Sequence, residues 1–294
     1  MSNFLQLLFI GLFEGSLYAM VAAAIVLVYK STHVVSLAHG QLMAYGALAF
    51  WFGLTVLKLP FIVALFLALI CLGACGWFIE RMTMRPLIGQ PLFAAFLTTF
   101  AIFLIGDGIF QLILKGQSYS FAKYLPGGMT SVIGVPLPTT QLVSFGVCLV
   151  LFVGLAIFFQ RTKMGLGMRA TAEDHQLAQS TGITVRTIFS WIWMLSAMVA
   201  TIAGIALANV MDIYFPLPML GVKGLIVALV GGLESLPGAL IAGLLLGILE
   251  NVSAGYLDPL VGGGVKEVAA YVLLLFILLV KPYGLFGLVR IERI

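Results

Sequence analysis

Four ionisable side chains stand in stretches that are otherwise hydrocarbon, and they set the chemistry open to this chain. Glu14 lies in FIGLFEGSLYAM, Asp107 between Gly106 and Gly108, Glu250 in GLLLGILENV, and His39 in SLAHGQLMAYGA. A charge near mid-membrane costs on the order of 3 kcal/mol, so each carboxylate is expected to face other helices, lining a polar path or locking helices together. Glu14 is read as bundle-facing, with Tyr18 one turn on as a hydrogen-bond partner. His39 is read as structural, because His33 and His175 are not placed to complete a metal site with it. Gly40 and the small residues after it predict a close backbone approach. Cys71, Cys75 and Cys148 are read as small packing residues, since an i, i+4 pair closes no metal site. No phosphate-binding GxxxxGK[ST] loop, nucleophile elbow or HExxH occurs. The expectation is therefore no enzyme, no metal and no cofactor.

A second kind of site lies in the longest polar interruption, RTKMGLGMRATAEDHQLAQSTGITVR, from Arg161 to Arg186. Thr171 is predicted to cap a short helix, with Asp174 three residues on. Glu173 and Asp174 suit the positive helix end, and Gly182 marks the stop. The predicted helix runs from Ala172 to Thr181. A connector between two spans needs only a few residues, so an ordered helix here predicts a docking surface.

The elements that must position these residues are membrane spans. Of the 294 residues, 62% are hydrophobic and 9% charged, more apolar surface than a water-soluble fold can bury. Apolar runs fall near 4–29, 38–57, 60–84, 92–114, 140–160, 187–210 and 265–280. A longer run at 221–254 is broken by GGLESLPG, which predicts two helices, near 221–233 and 238–254, turning at Pro237. The expected fold is an all-α polytopic bundle of about eight spans plus a short or broken helix, forming one transmembrane domain over 1–294. The first span is read as retained, because no basic leader or cleavage site precedes it. Gly116 to Thr140 is read as an external loop without regular structure.

Charge placement gives direction. With the 161–186 loop in the cytoplasm, every arginine is cytoplasmic: Arg81, Arg85, Arg161, Arg169, Arg186, Arg290 and Arg293, joined by Lys30, Lys163 and Lys281. Lys58, Lys115, Lys123, Lys223 and Lys266 fall on the opposite side, and the N-terminus is periplasmic. The net charge of +4 is small and scattered, which argues against nucleic acid as a partner. Small-residue stripes at Gly11/Gly15, Ala200/Gly204/Ala208 and Ala239/Gly243/Gly247 predict close helix contacts, within the bundle or between two such bundles. An echo between the glycine-rich stretches 39–47 and 231–243 is read as chance.

Four segments in order carry a resemblance: GLFEGSLYAMVAAAIVLVYKSTHVVSLAHGQLMAYGA, GLGMRATAEDHQLAQSTGITV, GLIVALVGGLESLPGALIAGLLLGILE and KPYGLFG. Together they resemble the shorter permease type of branched-chain amino acid ABC importers. The family's Asn-Phe before Ala-His-Gly is Ser36-Leu37 here. The resemblance implies a subunit of an ATP-driven importer in the bacterial inner membrane. Its implied partners are a second homologous permease, two cytoplasmic ATPase subunits, a periplasmic amino-acid-binding protein and membrane lipid. It further implies that the loop helix couples to an ATPase through Arg169, Glu173, Asp174 and Gly182, with Leu177 and Ala178 as the apolar contact face. Glu14, Tyr18, His39, Gly40 and Gln41 become candidates for the translocation path. Another small solute (urea, an amide or a sugar) and an ion-coupled secondary transporter are the alternatives.

Overall fold

The computed structural model describes residues 2–120, 124, 127–132, 135–173, 175–180 and 182–287. Proline punctuates the helices, because a missing N–H and a fixed φ suit a helix start. Pro60 precedes α3 (Phe61–Ile79), Pro91 precedes α4 (Leu92–Leu114) and Pro138 precedes α5 (Thr139–Arg161). The first two helices, α1 (Ser2–Thr32) and α2 (Ala38–Thr55), are joined by residues 33–37. After α5 come α6 (Lys163–Glu173), α7 (His175–Ser180) and α8 (Val185–Met211). The last three are α9 (Leu220–Gly231), α10 (Leu236–Val261) and α11 (Val265–Val280). Ser235 caps α10, accepting the Gly238 N–H at 3.0 Å, with Pro237 in the first turn. The predicted break at Pro237 is therefore present.

All nine predicted apolar segments are helical, and among the described residues six helices are long and apolar enough to cross a membrane. The others are shorter or less apolar. With 12 residues, α9 is about 18 Å long, well short of the roughly 30 Å hydrocarbon core. It is a half-helix. The chain reaches its N-terminal end by re-entering from the end of α8 through residues 212–219.

The molecule is organised around α1, buried continuously from Phe13 to Val28. Its most extensive partner is α10, and the two glycine stripes explain why. A Cβ on Gly11 would lie 2.6 Å from the Gly247 carbonyl oxygen, and one on Gly243 would lie 2.7 Å from the Gly15 oxygen. The third stripe lies against α2, where a Cβ on Gly46 would lie 2.7 Å from Thr201 Cα. These stripes are thus seams inside the bundle. In lipid, backbone contact of this kind supplies the packing that apolar burial cannot.

Several expectations are corrected. Among the described residues of 116–140, β1 (Met129–Val132) and β2 (Val135–Pro138) form an antiparallel pair, with Met129 opposite Pro138 and Ser131 opposite Pro136. A two-stranded ribbon is all edge, so prolines are tolerated where their missing donors face outward. Leu137 anchors it against Phe13. Cys148 is buried, but Cys71 and Cys75 are exposed rather than packed. Lys223 and Lys266 lie in early turns of α9 and α11, within the predicted runs, and reach carboxylates inside the bundle. Within the glycine-rich stretch at 39–47, Gly40 meets Gly221 and Gly46 meets Thr201.

Candidate functional site

The N-terminal ends of α2 and α9 converge inside the molecule. A Cβ on Gly40 would lie 2.5 Å from the Pro218 carbonyl oxygen and 3.2 Å from Gly221 Cα, so only glycine allows this approach. His39 precedes that contact and is fully buried. Its Nδ1 is 3.0 Å from Ser36 Oγ and its Nε2 is 3.0 Å from Ser196 Oγ, while the ring lies against Trp193. Two hydroxyls, each able to donate or accept, hold a neutral imidazole in place. Ser36, the departure from the resembled pattern, is thus part of what fixes His39. Residues 35–37 are held by Thr99, whose hydroxyl meets the Val35 carbonyl and the Leu37 N–H at 3.4 Å each.

Two residues beyond His39, Gln41 is buried and reaches α4. Its Nε2 is 3.5 Å from Asp107 Oδ1, Gln111 donates to Asp107 Oδ2 at 2.6 Å, and Gln41 Oε1 has no hydrogen-bond partner. Tyr45 donates to the Gly106 carbonyl at 2.7 Å. Gln41, Tyr45 and Gly106 line a cleft of about 570 Å³ between α2, α3 and α4, together with Cys75 and Ile102.

Glu14 is bundle-facing, as expected, but its partners are not those expected. Asn251 Nδ2 donates to Glu14 Oε2 at 2.9 Å, and Lys266 Nζ lies 2.5 Å from the same oxygen. Tyr18 makes no hydrogen bond to Glu14. Its ring lies under Lys223 Nζ, 5.4 Å from the centroid. Lys223 bridges Glu250 at 3.1 Å and Glu267 at 3.3 Å, and Glu250 is fully buried. Lys223, Asn251, Lys266 and Glu267 were not singled out as sites by sequence reasoning. The available signal was Lys223 itself, a lysine inside an apolar run that has to find a carboxylate. The cluster ties α1, α9, α10 and α11 together around the half-helix.

The polar arm is built differently from the expectation. Thr171 does not cap a helix. It is buried within α6, and its hydroxyl donates to the Gly167 carbonyl at 2.8 Å. The helix begins earlier because Thr162 Oγ1 accepts the Gly165 N–H at 2.9 Å. Arg169 reaches back to donate to the Phe159 carbonyl at 2.5 Å, fastening α6 to the end of α5. Glu173 is exposed at the end of α6, while Asp174 and Thr181 lie outside the described residues. The Gly182 stop is real, with φ +87° and an N–H donating to the Gln179 carbonyl. Leu177 and Ala178 point in different directions. Ala178 packs on Val185 and Phe189, whereas Leu177 is 66% exposed.

A multi-pass helical bundle with a broken helix, buried charges around its half-helix and an ordered polar arm defines a membrane permease. Residues 7–281 match the family model described as branched-chain amino acid transport system / permease component, and the chain belongs to that family. It is a transport subunit rather than an enzyme. It is 28% identical to the high-affinity branched-chain amino acid transport system permease protein BraD of Pseudomonas aeruginosa, covering 99% of this chain and 98% of that one. It is equally similar to LivH of Escherichia coli, with the same description, at 28% identity over 99% and 98%. A solved structure, PsaBC from Streptococcus pneumoniae in complex with Fab, aligns with a TM-score of 0.51 at 14% identity, over 94% of this chain and 92% of that one. At that identity the likeness is one of fold.

Proposed function

We propose that this chain is one permease of an ATP-driven ABC importer that moves branched-chain or other hydrophobic amino acids into the cytoplasm across a bacterial inner membrane. Two permeases form the pathway, two cytoplasmic ATPase subunits drive it, and a periplasmic binding protein delivers the solute. The observation that carries the mechanism is the polar arm. It is an ordered helix pair fastened to α5 by Arg169 and to α8 by Ala178, with Leu177 projecting from it. An arm held at both ends moves with the helices it joins, so closure of a docked ATPase shifts α5 and α8. Arg169, Ala178 and Gly182 shape the arm, while Leu177, Glu173 and Asp174 meet the partner. Gly40, His39 and Gln41 hold the pathway wall, and Glu14 and Tyr18 brace the half-helix beside it.

Transport by the reconstituted complex should cease on ATP depletion and survive a protonophore. The reverse pattern would favour ion-coupled transport. The ion pairing of Glu14 and Glu250 with lysines argues against that alternative, since a coupling carboxylate has to release its counter-charge during each cycle. Retention of a sugar, urea or amide, and not an amino acid, by the cognate binding protein would reassign the solute. Orientation is tested by cysteines at Gln176 and Ser131, the first labelled only from the cytoplasm and the second only from outside. Labelling of both from one side would overturn the topology.

A further inference from the structure

Beside the base of the arm, the far end of α3 carries an unexplained concentration of positive charge. The helix continues past Ile79 as a π-helical turn, Glu80–Met84, and a 3₁₀ turn, Arg85–Leu87. The wide turn swings Arg81 and Arg85 toward the start of α8, where Arg186 and Ser190 stand. Between them is a cleft of about 430 Å³, flanked by Trp77 and Trp191. Glu80 does not neutralise it. That carboxylate is fully buried, accepts both Arg85 Nε and Nη2 at 3.1 and 3.0 Å, and accepts the Ser190 hydroxyl at 2.7 Å. Among the described residues, Arg81 and Arg186 are in no ion pair, and Arg81 is held only over the Trp77 ring, 5.2 Å from its centroid. Three guanidinium groups thus face one spent carboxylate.

We infer that this cleft binds the phosphate headgroup of an anionic phospholipid in the leaflet on the side of the polar arm. The argument rests on three features. Guanidinium forks match phosphate oxygens in pairs, and the cleft presents two not engaged in ion pairs. Trp77 and Trp191 are 40% and 47% exposed at its rim, the place aromatic side chains take at the headgroup level. The same face of α3 exposes Phe66 and Ile70, giving acyl chains an apolar wall beside the bound headgroup. A basic cleft between spans, rimmed by tryptophan and continuous with an apolar helix face, fits a lipid better than an acidic loop of a soluble partner.

The full-length permease in phosphatidylcholine nanodiscs tests this, with brominated phosphatidylglycerol as the probe and tryptophan quenching as the readout. Quenching should be selective over brominated phosphatidylcholine at the same mole fraction. Arg81→Gln/Arg186→Gln should require roughly thirtyfold more probe, from the attraction each of the two basic residues contributes near an anionic surface. Lys58→Gln/Lys115→Gln should behave like the parent. Trp77→Phe/Trp191→Phe should lose the selective signal, which places it at the cleft. Equal thermal stability in phosphatidylcholine alone shows that the arginine variant is folded. If it is not, Arg81→Gln alone, which removes only a ring contact, serves instead. Equal quenching by both lipids, or selectivity that survives the arginine changes, would overturn the inference. So would displacement of the probe by inorganic phosphate, or an arginine variant that loses its ATPase partners while keeping the lipid response.

Discussion

The charge cluster around α9 and the α6–α7 arm use similar side chains to opposite ends. Around α9, Glu14, Lys223, Glu250 and Lys266 are withdrawn from solvent and matched within a few ångströms. On the arm, Glu173 and Leu177 are exposed, while Arg169 and Ala178 serve as anchors. Burial with matched charge holds four helices in one arrangement. An anchored element with an exposed face offers a surface without defining its own partner. Substitutions in the two regions should therefore fail differently.

The largest effect is expected at the seam beside the charge cluster. Gly247→Leu drives a side chain into the Gly11 and Gly15 backbone, an overpacking cost on the order of 3 kcal/mol or more that no rotamer relieves. Size-exclusion of detergent-extracted protein should show loss of the folded species. Next comes Lys223→Met, which leaves Glu250 buried without its counter-charge, at about 3–5 kcal/mol. Lys223→Met/Glu250→Gln should recover most of that loss in a thermal melt. Failure to recover would mean Lys223 matters through another contact, Glu267 first among them. On the arm, Gly182→Val forces a β-branched residue to φ +87°, at roughly 1–2 kcal/mol, and should increase proteolysis within 161–186 while leaving the spans intact.

Legibility in the sequence differed between the two regions for a physical reason. Spans are local, since twenty apolar residues and a flanking proline announce themselves, and the break at Pro237 was readable because Ser235, Pro237 and Gly238 form a cap in sequence. The glycine stripes were visible, but their pairing was not, because Gly11 against Gly247 is a long-range contact. The cluster was half legible. Glu14 and Glu250 stood out against hydrocarbon, while Lys223 and Lys266 were read only for the side of the membrane they mark, because their carboxylate partners lie on other helices. In the arm, the Gly182 stop was correct, but the cap was placed on Thr171 instead of Thr162. The fold distinguishes them: Thr171 is buried within α6 with its hydroxyl on the Gly167 carbonyl, whereas Thr162 accepts the Gly165 N–H.

That correction also changes how the arm should be tested. Leu177 lies in the first turn of α7, and its side chain is 66% exposed. A charge on the projecting side chain is the sharper probe. Leu177→Glu replaces an exposed group and should alter permease stability by no more than about 0.5 kcal/mol. The decisive measurement is ATP hydrolysis by the reconstituted complex carrying Leu177→Glu, stimulated by the substrate-loaded binding protein. Loss of that stimulation, with the permease folded and inserted as in the parent, is the predicted result. Stimulation and transport at parental rates would contradict the claim that this arm couples the permease to its ATPases.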